Sequence, residues 1–320
     1  MTDIPMRASQ VSDSIATQSP EPQVRANQVA GQWKIRTRTL NFERIPTVMG
    51  IVNVTPDSFS DGGRFAEPGA AIDHALELAH HGAGILDVGG ESTRPYSTPV
   101  ELQEELDRVV PVIAGIVAQS NVPVSIDTSK AQVAQAALDA GAEIINDVSG
   151  LQLDPDMIRI AANSNAGVCA MHMQGTPQTM QDNPEYEDVV REIHAYLVQR
   201  KLHLLDAGIG LDNICLDPGI GFGKSHQHNL DLLANCDQFH DLGCPLLIGH
   251  SRKGMIAKIL GDKEANRDAA TLAITLMLAQ RKIQVVRVHE VEETVKALKV
   301  FDAVGGIDGR SSRHGVTRQH

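Results

Sequence analysis

From residue 47 onward, short apolar runs alternate with longer segments in which apolar residues recur at helical spacing. The short runs are rich in β-branched residues and predict eight strands, at residues 47–54, 85–89, 122–126, 144–147, 167–171, 214–217, 246–249 and 285–288. The longer segments predict helices, among them residues 70–81, 101–119, 129–140, 186–207, 230–242, 268–280 and 291–304. The chain therefore repeats a unit of one strand followed by one helix.

The order and character of these elements predict the fold class. Each strand is an almost continuous apolar run, which indicates a parallel sheet covered on both faces. Eight βα units in roughly 260 residues fit a closed (β/α)8 TIM barrel better than an open sheet. No G-x-G-x-x-G pattern follows the first strand, so the main reason to prefer a doubly wound dinucleotide-binding fold is missing. We predict an α/β protein built as a single barrel.

The two ends of the chain differ from this repeat. Residues 1–30 are rich in Ser, Gln, Pro and Thr and show no sustained apolar period, which predicts a disordered N-terminal extension. Residues 305–320 are similar in character and predict a flexible C-terminal tail. Residues 31–304 form the predicted barrel domain, with order beginning near Trp33.

Charge and cysteine content narrow the function classes. The 320 residues include 28 Lys and Arg against 40 Asp and Glu, a formal net charge of −12. This charge opposes association with nucleic acids and anionic membranes, although a few local cations can still attract a small anionic substrate. The four cysteines show no C-x-x-C spacing and predict buried core residues. No apolar run approaches the roughly 20 residues of a membrane span, so we expect a soluble cytoplasmic protein with no membrane or nucleic-acid partner.

Polar and charged residues follow all eight predicted strands. In such a barrel the carboxyl ends of the strands form the functional face, so these residues are expected to meet in one ring. Any one of them could instead belong to a cap of the next helix, as Ser129 could after Asp127. A polar ring at every strand end favours a site over eight separate caps. In chain order the ring contains Asn53, residues 91–94, Asp127, Asn146, Asp147, His172, Asp217, residues 250–253, Arg287 and His289.

The ring divides into two halves by chemistry. Asp127, Asn146 and Asp217 suit a flat heterocycle that offers an amino group, a ring N–H and a carbonyl, because a carboxylate can accept two parallel N–H bonds. The cationic half suits phosphate or carboxylate oxygens and contains Arg94, Lys253, Arg287 and His289.

A loop beside the ring is expected to cover it. This loop, from Asn53 to Gly63, is long and contains glycines, which is typical of a mobile lid.

Two other motifs do not indicate a site. Residues 217–225 are similar to a phosphate-binding P-loop, but Pro218 occupies the place of the first required glycine. The 13 histidines include the pair His80 and His81 and the pair His226 and His228. No H-E-x-x-H occurs, and neither pair follows a strand. We interpret both pairs as surface or helix-capping residues.

Eight stretches together indicate a family. They are GIVNVTPDSFSDGG at 50–63, DVGGESTRP at 87–95, SIDT at 125–128, IND at 145–147, MH at 171–172, DPGIGFGK at 217–224, SRK at 251–253 and RVH at 287–289. In this order, over the span from Thr47 to Val304, they resemble dihydropteroate synthases. The resemblance implies an enzyme that joins 6-hydroxymethyl-7,8-dihydropterin pyrophosphate to 4-aminobenzoate, giving 7,8-dihydropteroate and pyrophosphate in tetrahydrofolate biosynthesis. It also implies Mg²⁺ as cofactor, a homodimer, and competition by sulfonamides at the aminobenzoate site.

The functional residues of the family can be transferred to matching positions of this chain. The resemblance implies a pterin pocket of Asp127, Asn146, Asp217 and Lys253, with Met171 packed against the ring. It implies a pyrophosphate site of Asn53, Thr93, Arg287 and His289, in which Asn53 is the ligand of Mg²⁺. The implied aminobenzoate site contains Phe59, Ser60, Thr93, Arg94, Pro95, Phe222 and Ser251. The residues expected to act in catalysis are Asn53, Asp127, Asp217, Lys253 and Arg287.

The resemblance also implies a dissociative course of reaction. Pyrophosphate leaves first, stabilised by the metal and the cations, and the electron-poor pterin methylene is then attacked by the aromatic amine. So weakly basic an amine needs no strong general base, which agrees with the absence of a Ser-His-Asp pattern from the sequence.

Two positions depart from the family pattern, and two other functions stay open. Tyr96 follows Arg94 and Pro95 where the family commonly has a small residue, often glycine, and Gly254 follows Lys253 where serine is frequent.

The first alternative function is a pterin-binding methyltransferase domain, which would need no pyrophosphate site. The second is an inactive pterin-binding paralogue, which would have lost residues of the 55–60 loop or of the Ser-Arg-Lys run. This sequence keeps both.

Overall fold

The computed structural model describes residues 29–55 and 68–310 of the chain. Ten strands lie in these ranges: β1 Gln32–Lys34, β2 Thr39–Asn41, β3 Thr47–Asn53, β4 Ile85–Gly89, β5 Val124–Asp127, β6 Ile144–Asp147, β7 Gly167–Met171, β8 Ile214–Asp217, β9 Leu247–Gly249 and β10 Val285–Val288. The same ranges contain nine α-helices: α1 Pro68–His80, α2 Leu102–Val117, α3 Ala131–Asp139, α4 Met157–Ser164, α5 Val189–Asp206, α6 His226–Ala234, α7 Gly254–Leu260, α8 Asp268–Gln280 and α9 Val291–Ala303.

Strands β3 to β10 form one parallel sheet in which consecutive strands are neighbours. The first and last of them pair through residues that include Met49 and Arg287. A parallel bridge between Leu216 and Leu246 joins β8 to the residue before β9. The eight strands therefore close into a barrel, with α-helices packed on its outside. The predicted (β/α)8 TIM barrel is confirmed.

All eight predicted barrel strands are present, but two helices lie outside the prediction. Helices α4 and α7 have 8 and 7 residues, which is too short for a helical period to stand out in the sequence. The helix predicted at 230–242 consists of two elements. Helix α6 starts after Ser225, which caps it together with His228, and a separate 3-10 helix covers Cys236–Leu242. The interpretation of His228 as a capping residue is confirmed.

A hairpin of β1 and β2 closes the amino end of the barrel, which the sequence pattern does not predict. Trp33 in this hairpin is fully buried, and its indole Nε1 donates to the carbonyl oxygen of Asn213 at 2.9 Å. Because this end is filled by packed side chains, a ligand site inside the barrel has to lie at the carboxyl end of the strands. Trp33 and Ile35 pack against inward-facing strand residues, namely Met49, Ile85, Ile144, Cys169, Cys215, Leu247 and Val285.

Residues 305–310, the first part of the predicted tail, pack on the barrel domain. Ile307 is buried, and Arg44 forms ion pairs with Asp302 at 3.1 Å and Asp308 at 2.7 Å. The remainder of that tail, residues 311–320, and residues 1–28 of the predicted extension lie outside the described residues. All four cysteines are buried and unpaired, as predicted. No helix in residues 29–55 and 68–310 has the length and apolar character needed to cross a bilayer.

Candidate active site

Strand register brings several predicted site residues to one level of the barrel. Asn53 at the end of β3 and Asp127 at the end of β5 are both paired with Gly89 of β4. Asp127 is in turn paired with Asn146 of β6. Residues paired in this way place their side chains on the same face of a sheet. Asp127 and Asn146 therefore stand side by side at the carboxyl end of the barrel.

A buried ion-pair network lies directly below this level. The Arg287 guanidinium donates from Nε to Asp87 Oδ2 at 2.6 Å and from Nη2 to Asp127 Oδ2 at 2.7 Å. Asn146 Nδ2 donates to the same Asp87 oxygen at 3.1 Å. Arg287 thus holds two carboxylates in place. The structure joins this residue, predicted for the cationic half, to Asp127 of the carboxylate half.

Asp87 is a residue of this network that the sequence analysis does not single out. It lies in the middle of β4 and is fully buried, and its Oδ1 atom has no hydrogen-bond partner. A buried carboxylate is costly unless a cation pairs with it, and Arg287 supplies that cation. The signal is visible in the sequence, because Asp87 interrupts an otherwise apolar strand, Ile-Leu-Asp-Val-Gly.

The charges of this network depend on one another. Burial raises the pKa of Asp127 to about 7, while Arg287 lowers it and the carboxylates of Asp87, Asp147 and Glu105 raise it further. For Arg287, burial lowers the pKa, but Asp87 and Asp127 outweigh that effect and raise it above its ordinary value. Arg287 is therefore a permanent cation. The ionisation of Asp127, in contrast, responds to whatever charge binds beside it.

Asp217 supplies a second carboxylate at the end of β8. Its Oδ1 accepts the Gly219 N–H at 2.7 Å, whereas its Oδ2 has no protein partner among the described residues and is available to a ligand. Burial raises the pKa of Asp217 to about 6, against the opposing effects of the Gly219 N–H and two lysines. Gly219 has a φ of +74°, and a Cβ there would lie 1.9 Å from the His172 carbonyl oxygen. Only glycine permits this turn.

An apolar wall stands beside the two carboxylates. Met171 and Phe222 belong to one buried apolar cluster at the ends of β7 and β8. Lys253 Nζ lies 4.0 Å from the centre of the Phe222 ring, a cation–π contact. Burial, together with the charge of Arg287, lowers the pKa of Lys253 to about 8, although nearby carboxylates act in the opposite direction. A wall of this kind suits the face of a flat heterocycle.

His289 and Ser251 lie on the electropositive side of the mouth. Ser251 Oγ lies 2.9 Å from His289 Nδ1 and also accepts the His289 backbone N–H at 3.2 Å. Burial lowers the pKa of His289 to about 4, and four cations lower it further, namely Arg287, Arg252, Arg94 and Lys253. This side of the mouth is therefore electropositive, as an anion site requires.

Two loops complete the predicted site, and the structure describes one of them. Thr93 is half-buried in the loop between β4 and α2, while Arg94 and Pro95 are exposed. Phe59 and Ser60 lie outside the described residues, as do residues 56–58 and 61–63 of the predicted lid. Their predicted contacts with aminobenzoate stay predictions.

Two members of the predicted polar ring have structural roles instead. Asp147 accepts from Ser129 Oγ at 2.6 Å and from the Ser149 N–H at 2.8 Å, so it closes the turn after β6. His250 is fully buried, and its Nε2 lies 2.8 Å from Thr275 Oγ1 on α8. Both residues follow a strand, but their side chains are used within the scaffold.

His172 is likewise used internally, together with Lys224. The Lys224 ammonium donates to the carbonyl oxygen of Phe222 at 2.8 Å and lies 3.0 Å from His172 Nδ1 and 3.3 Å from the His172 carbonyl oxygen. Its three donors are therefore satisfied inside the protein. Lys224 links the loop after β8 to the end of β7, and its ammonium has no donor left for a phosphate. The rejection of a P-loop at 217–225 agrees with this geometry.

Comparison with known proteins agrees with the geometry of the mouth. Residues 49–289 match the family described as pterin binding enzymes. The dihydropteroate synthase of Escherichia coli K12 is 45% identical over 258 residues, which cover 81% of this chain and 91% of the relative. The chain belongs to the dihydropteroate synthase family. The resemblance derived from the motifs is thereby confirmed, and the protein is an enzyme of the transferase class.

Solved structures of this family share the fold of the chain. The Xanthomonas albilineans dihydropteroate synthase with 4-aminobenzoic acid has a TM-score of 0.80 at 45% identity, covering 86% of this chain and 98% of that one. The Yersinia pestis dihydropteroate synthase, in a sulfonamide drug complex, has a TM-score of 0.80 at 42% identity, covering 85% and 98% of the two chains. The similarity therefore extends over the whole barrel.

Proposed function

We propose that the barrel mouth joins 6-hydroxymethyl-7,8-dihydropterin pyrophosphate to 4-aminobenzoate, giving 7,8-dihydropteroate and pyrophosphate. The observation that carries the proposal is that a carboxylate half and an electropositive half meet at one end of the barrel. Asp127 and Asp217 belong to the first half, and Lys253, Arg287 and the neutral His289 belong to the second. A pterin offers N–H donors to the first half. A diphosphate offers anionic oxygens to the second. One substrate that has both groups occupies both halves at once.

The pterin lies between the carboxylates and the apolar wall. Asp217 Oδ2 accepts N–H groups from the pyrimidine edge of the pterin, and the Asn146 amide adds a further polar contact. Lys253 donates to the pterin carbonyl, and Met171 packs against the ring. Support for this arrangement comes from the burial of Asp217, Asn146 and Met171, because a buried polar group that is not bonded to water is stabilised by a hydrogen bond to the ligand.

The departure of pyrophosphate is promoted by charge placement. His289, Arg287 and Thr93 bind the leaving oxygens on the electropositive side of the mouth. Positive charge develops on the pterin methylene as the bond breaks, and Asp127, held 2.7 Å from Arg287, stabilises it. With a pKa of about 4, His289 is neutral at pH 7 and acts as a hydrogen-bond donor to the anion.

Asn53 fits the role of a Mg²⁺ ligand. Its side-chain amide is half-buried at the end of β3 and makes no hydrogen bond to the described residues. The described residues also contain no group of three or more His, Cys, Asp or Glu side chains that could hold a metal. Mg²⁺ commonly takes only one or two protein oxygens, with substrate phosphates and water as its other ligands. When bound, the ion would neutralise charge on the departing pyrophosphate.

The aminobenzoate binds at the outer edge of the mouth. Phe222 provides an apolar face, and Ser251 and the loop between β4 and α2 provide polar contacts to the carboxylate. A sulfonamide, which has the same aniline ring and an anionic head, competes for this position. The residues proposed for this subsite are Phe59, Ser60, Thr93, Arg94, Pro95, Phe222 and Ser251.

We also propose a cytoplasmic homodimer. Helix α8 is mostly apolar, with Asp268 as its one charged residue and Thr271, Thr275 and Gln280 as its other polar ones, and a helix of that kind is normally covered. Leu272 is half-buried and Ala273 is exposed on the outside of this helix, so a second copy of the chain would bury them. The buried, unpaired cysteines agree with a reducing compartment.

A coupled assay for pyrophosphate release tests the proposed reaction. With both the pterin pyrophosphate and 4-aminobenzoate present, the synthase should form dihydropteroate and release one pyrophosphate for each dihydropteroate formed. A pterin-binding methyltransferase would instead require a methyl donor, and an inactive paralogue would bind pterin without turnover. Arg287 and His289 favour the synthase over the methyltransferase domain, which would need no pyrophosphate site. The intact Ser-Arg-Lys run at 251–253 argues against the inactive paralogue.

A further inference from the structure

A network of hydrogen bonds and ion pairs that takes no part in the proposed reaction holds the base of the loop of residues 92–99. Glu91 precedes the loop, and its Oε1 accepts the Val100 N–H at 3.0 Å. One side chain therefore draws the two ends of the loop together. The second carboxylate oxygen of Glu91 lies 2.5 Å from Lys130 Nζ. The geometry of the loop base is thus set by a residue of a different βα unit, which lies directly before helix α3.

Lys130 connects this loop base to the end of β5. Its ammonium also lies 2.5 Å from Glu105 Oε2, and Glu105 Oε1 accepts from Thr128 Oγ1 at 2.7 Å. The Lys130 backbone N–H donates to the same threonine hydroxyl at 3.2 Å. Thr128 is the residue next to Asp127. The ammonium of Lys130 therefore ties together the loop base, helix α2 and the strand end that carries Asp127.

The charges in this network make Lys130 the essential member. Glu105 is fully buried, and the Lys130 and Glu91 side chains are 27% and 24% exposed. Burial lowers the pKa of Lys130, but its hydrogen bonds to Glu105 and Glu91 raise it above the ordinary value. Without the ammonium, two carboxylates would face each other with no cation between them. Their repulsion would move the more exposed partner, Glu91, and with it the loop.

We propose that Lys130 and Glu91 are positioning residues that set the place of the aminobenzoate-binding loop relative to the pterin pocket. The inference rests on the proposed function, which assigns Thr93 and its neighbours in this loop to aminobenzoate. The Asp127 carboxylate makes no hydrogen bond to the network and is positioned by Arg287, which lies 2.7 Å from it. Loss of the network therefore affects the second substrate and leaves pterin binding intact.

Steady-state kinetics of Glu91→Gln and Lys130→Met provide the test. In both variants KM for 4-aminobenzoate should rise about tenfold, because the loop that positions the amine is displaced. The Kd for pterin, which has no proposed contact with this loop, should change by less than about twofold. KM for the pterin pyrophosphate should rise by less than KM for 4-aminobenzoate, because Thr93 is its one proposed contact in the loop. Lys130→Arg should restore most of the affinity, because a guanidinium can bridge both carboxylates. Lys296→Met is the control, because that lysine is exposed and pairs with Glu292 on α9.

The selectivity of the effect decides the inference. An equal rise in both KM values, or no rise for 4-aminobenzoate, in the folded Glu91→Gln variant would overturn it. This variant keeps the buried Glu105–Lys130 pair, so it carries the test even if Lys130→Met is too unstable to assay. An inactive wild-type protein would overturn the proposed function and this inference together. An active wild type with an unselective Glu91→Gln variant would overturn the inference and leave the proposed function standing.

Discussion

At the scale of residues, the same side-chain type has three different roles at the barrel mouth. Asp87 is fully buried and serves to hold Arg287. Asp127 shares that arginine and borders the mouth. Asp217 has one oxygen on a backbone N–H and one available to a ligand. The roles differ because protein donors occupy different numbers of oxygens on each carboxylate. Only an accessible oxygen that has no protein donor can accept a hydrogen bond from a ligand.

The raised pKa of Asp217 predicts opposite pH effects on folding and on pterin binding. Without ligand, its contribution to stability is full below the unfolded value of 3.8 and is lost as the pH rises through about 6. Pterin affinity should instead rise over the same interval, because only the ionised carboxylate accepts two N–H bonds. Denaturant unfolding and pterin calorimetry, each measured from about pH 4 to pH 8, follow the two quantities.

Asp217→Asn should remove the part of both pH profiles centred near pH 6 and weaken pterin binding by about 2 kcal/mol. Asp139→Asn is the matched control, because that residue is exposed at the end of α3. Pterin binding of unchanged strength in Asp217→Asn would refute the place of this carboxylate in the pocket.

A requirement for a hard divalent cation is expected at Asn53. Chelation should abolish turnover, and added Mg²⁺ should restore it, since oxygen is the donor offered. Asn53→Ala should raise the Mg²⁺ concentration for half-maximal activity about tenfold, whereas Asn53→Asp should not raise it, because a carboxylate is a stronger ligand. Metal titrations of the three proteins measure this. Full activity after exhaustive chelation would exclude the role.

At the scale of elements, the loop between β4 and α2 contains a bulky residue in a backbone conformation that favours glycine. Tyr96 has a φ of +62°, a conformation that costs a bulky residue about 1 kcal/mol relative to glycine. Contacts with the segment after β7 offset that cost. The Tyr96 N–H donates to the Pro177 carbonyl oxygen at 3.1 Å, and the hydroxyl donates to Asp182 Oδ1 at 3.1 Å. The positive φ of Tyr96 agrees with the glycine that the family pattern often has at this position.

Tyr96→Gly tests whether these contacts help or hinder the loop. We expect aminobenzoate affinity, measured by titration with pyrophosphate and Mg²⁺ present, to fall by about threefold or less, because an exposed hydrogen bond contributes little. Tyr96→Phe isolates the hydroxyl and should give a smaller loss. Tighter binding in Tyr96→Gly would mean instead that the tyrosine obstructs closure of the loop.

The β1–β2 hairpin is expected to contribute strongly to stability. Trp33→Ala would leave a cavity at the base of the barrel and should lower the free energy of unfolding by about 3–5 kcal/mol. Trp33→Phe keeps a ring there and loses the bond to Asn213, so a loss of about 1–2 kcal/mol is expected. Urea unfolding measures both. Pterin affinity of the folded variants should not change. A large change would show that the β1–β2 hairpin also influences the geometry of the barrel mouth.

At the scale of the whole molecule, a net charge of −12 coexists with an electropositive mouth. The acidic surface disfavours polyanions, and the cations gathered at the strand ends select small ones. The outer face of α8 is the contrasting region, since it is apolar. Its proposed occupant is a second copy of the chain.

A change of oligomeric state tests that proposal. Ala273→Arg would place a charge on the exposed face of α8 and should shift the protein from dimer toward monomer by about tenfold or more in dissociation constant. Sedimentation equilibrium measures the shift. Arg159→Ala is a control, because that residue is exposed on α4 and pairs with Asp156. A wild-type protein that is monomeric at micromolar concentration would contradict the proposal.

The sequence by itself determined the repeat of eight βα units, the polar ring at the strand ends and the family. These features are legible because helix and strand periods are local, and because the residues after each strand are contiguous with it. It also indicated the division of the mouth into a carboxylate half and a cationic half, from residue chemistry. Both predicted carboxylates, Asp127 and Asp217, lie at the mouth, as does His289.

Only the tertiary structure decided which of these side chains act on one another. Asp87 and Arg287 are 200 positions apart and meet because β3 pairs with β10 to close the barrel. The hairpin that plugs the amino end and the link from Lys130 to Glu91 likewise depend on contacts between distant segments. Asp147 and His250 follow strands as the site residues do, yet the turns after them direct their side chains into the scaffold. Local patterns do not encode such choices, because they depend on the neighbours that folding brings near.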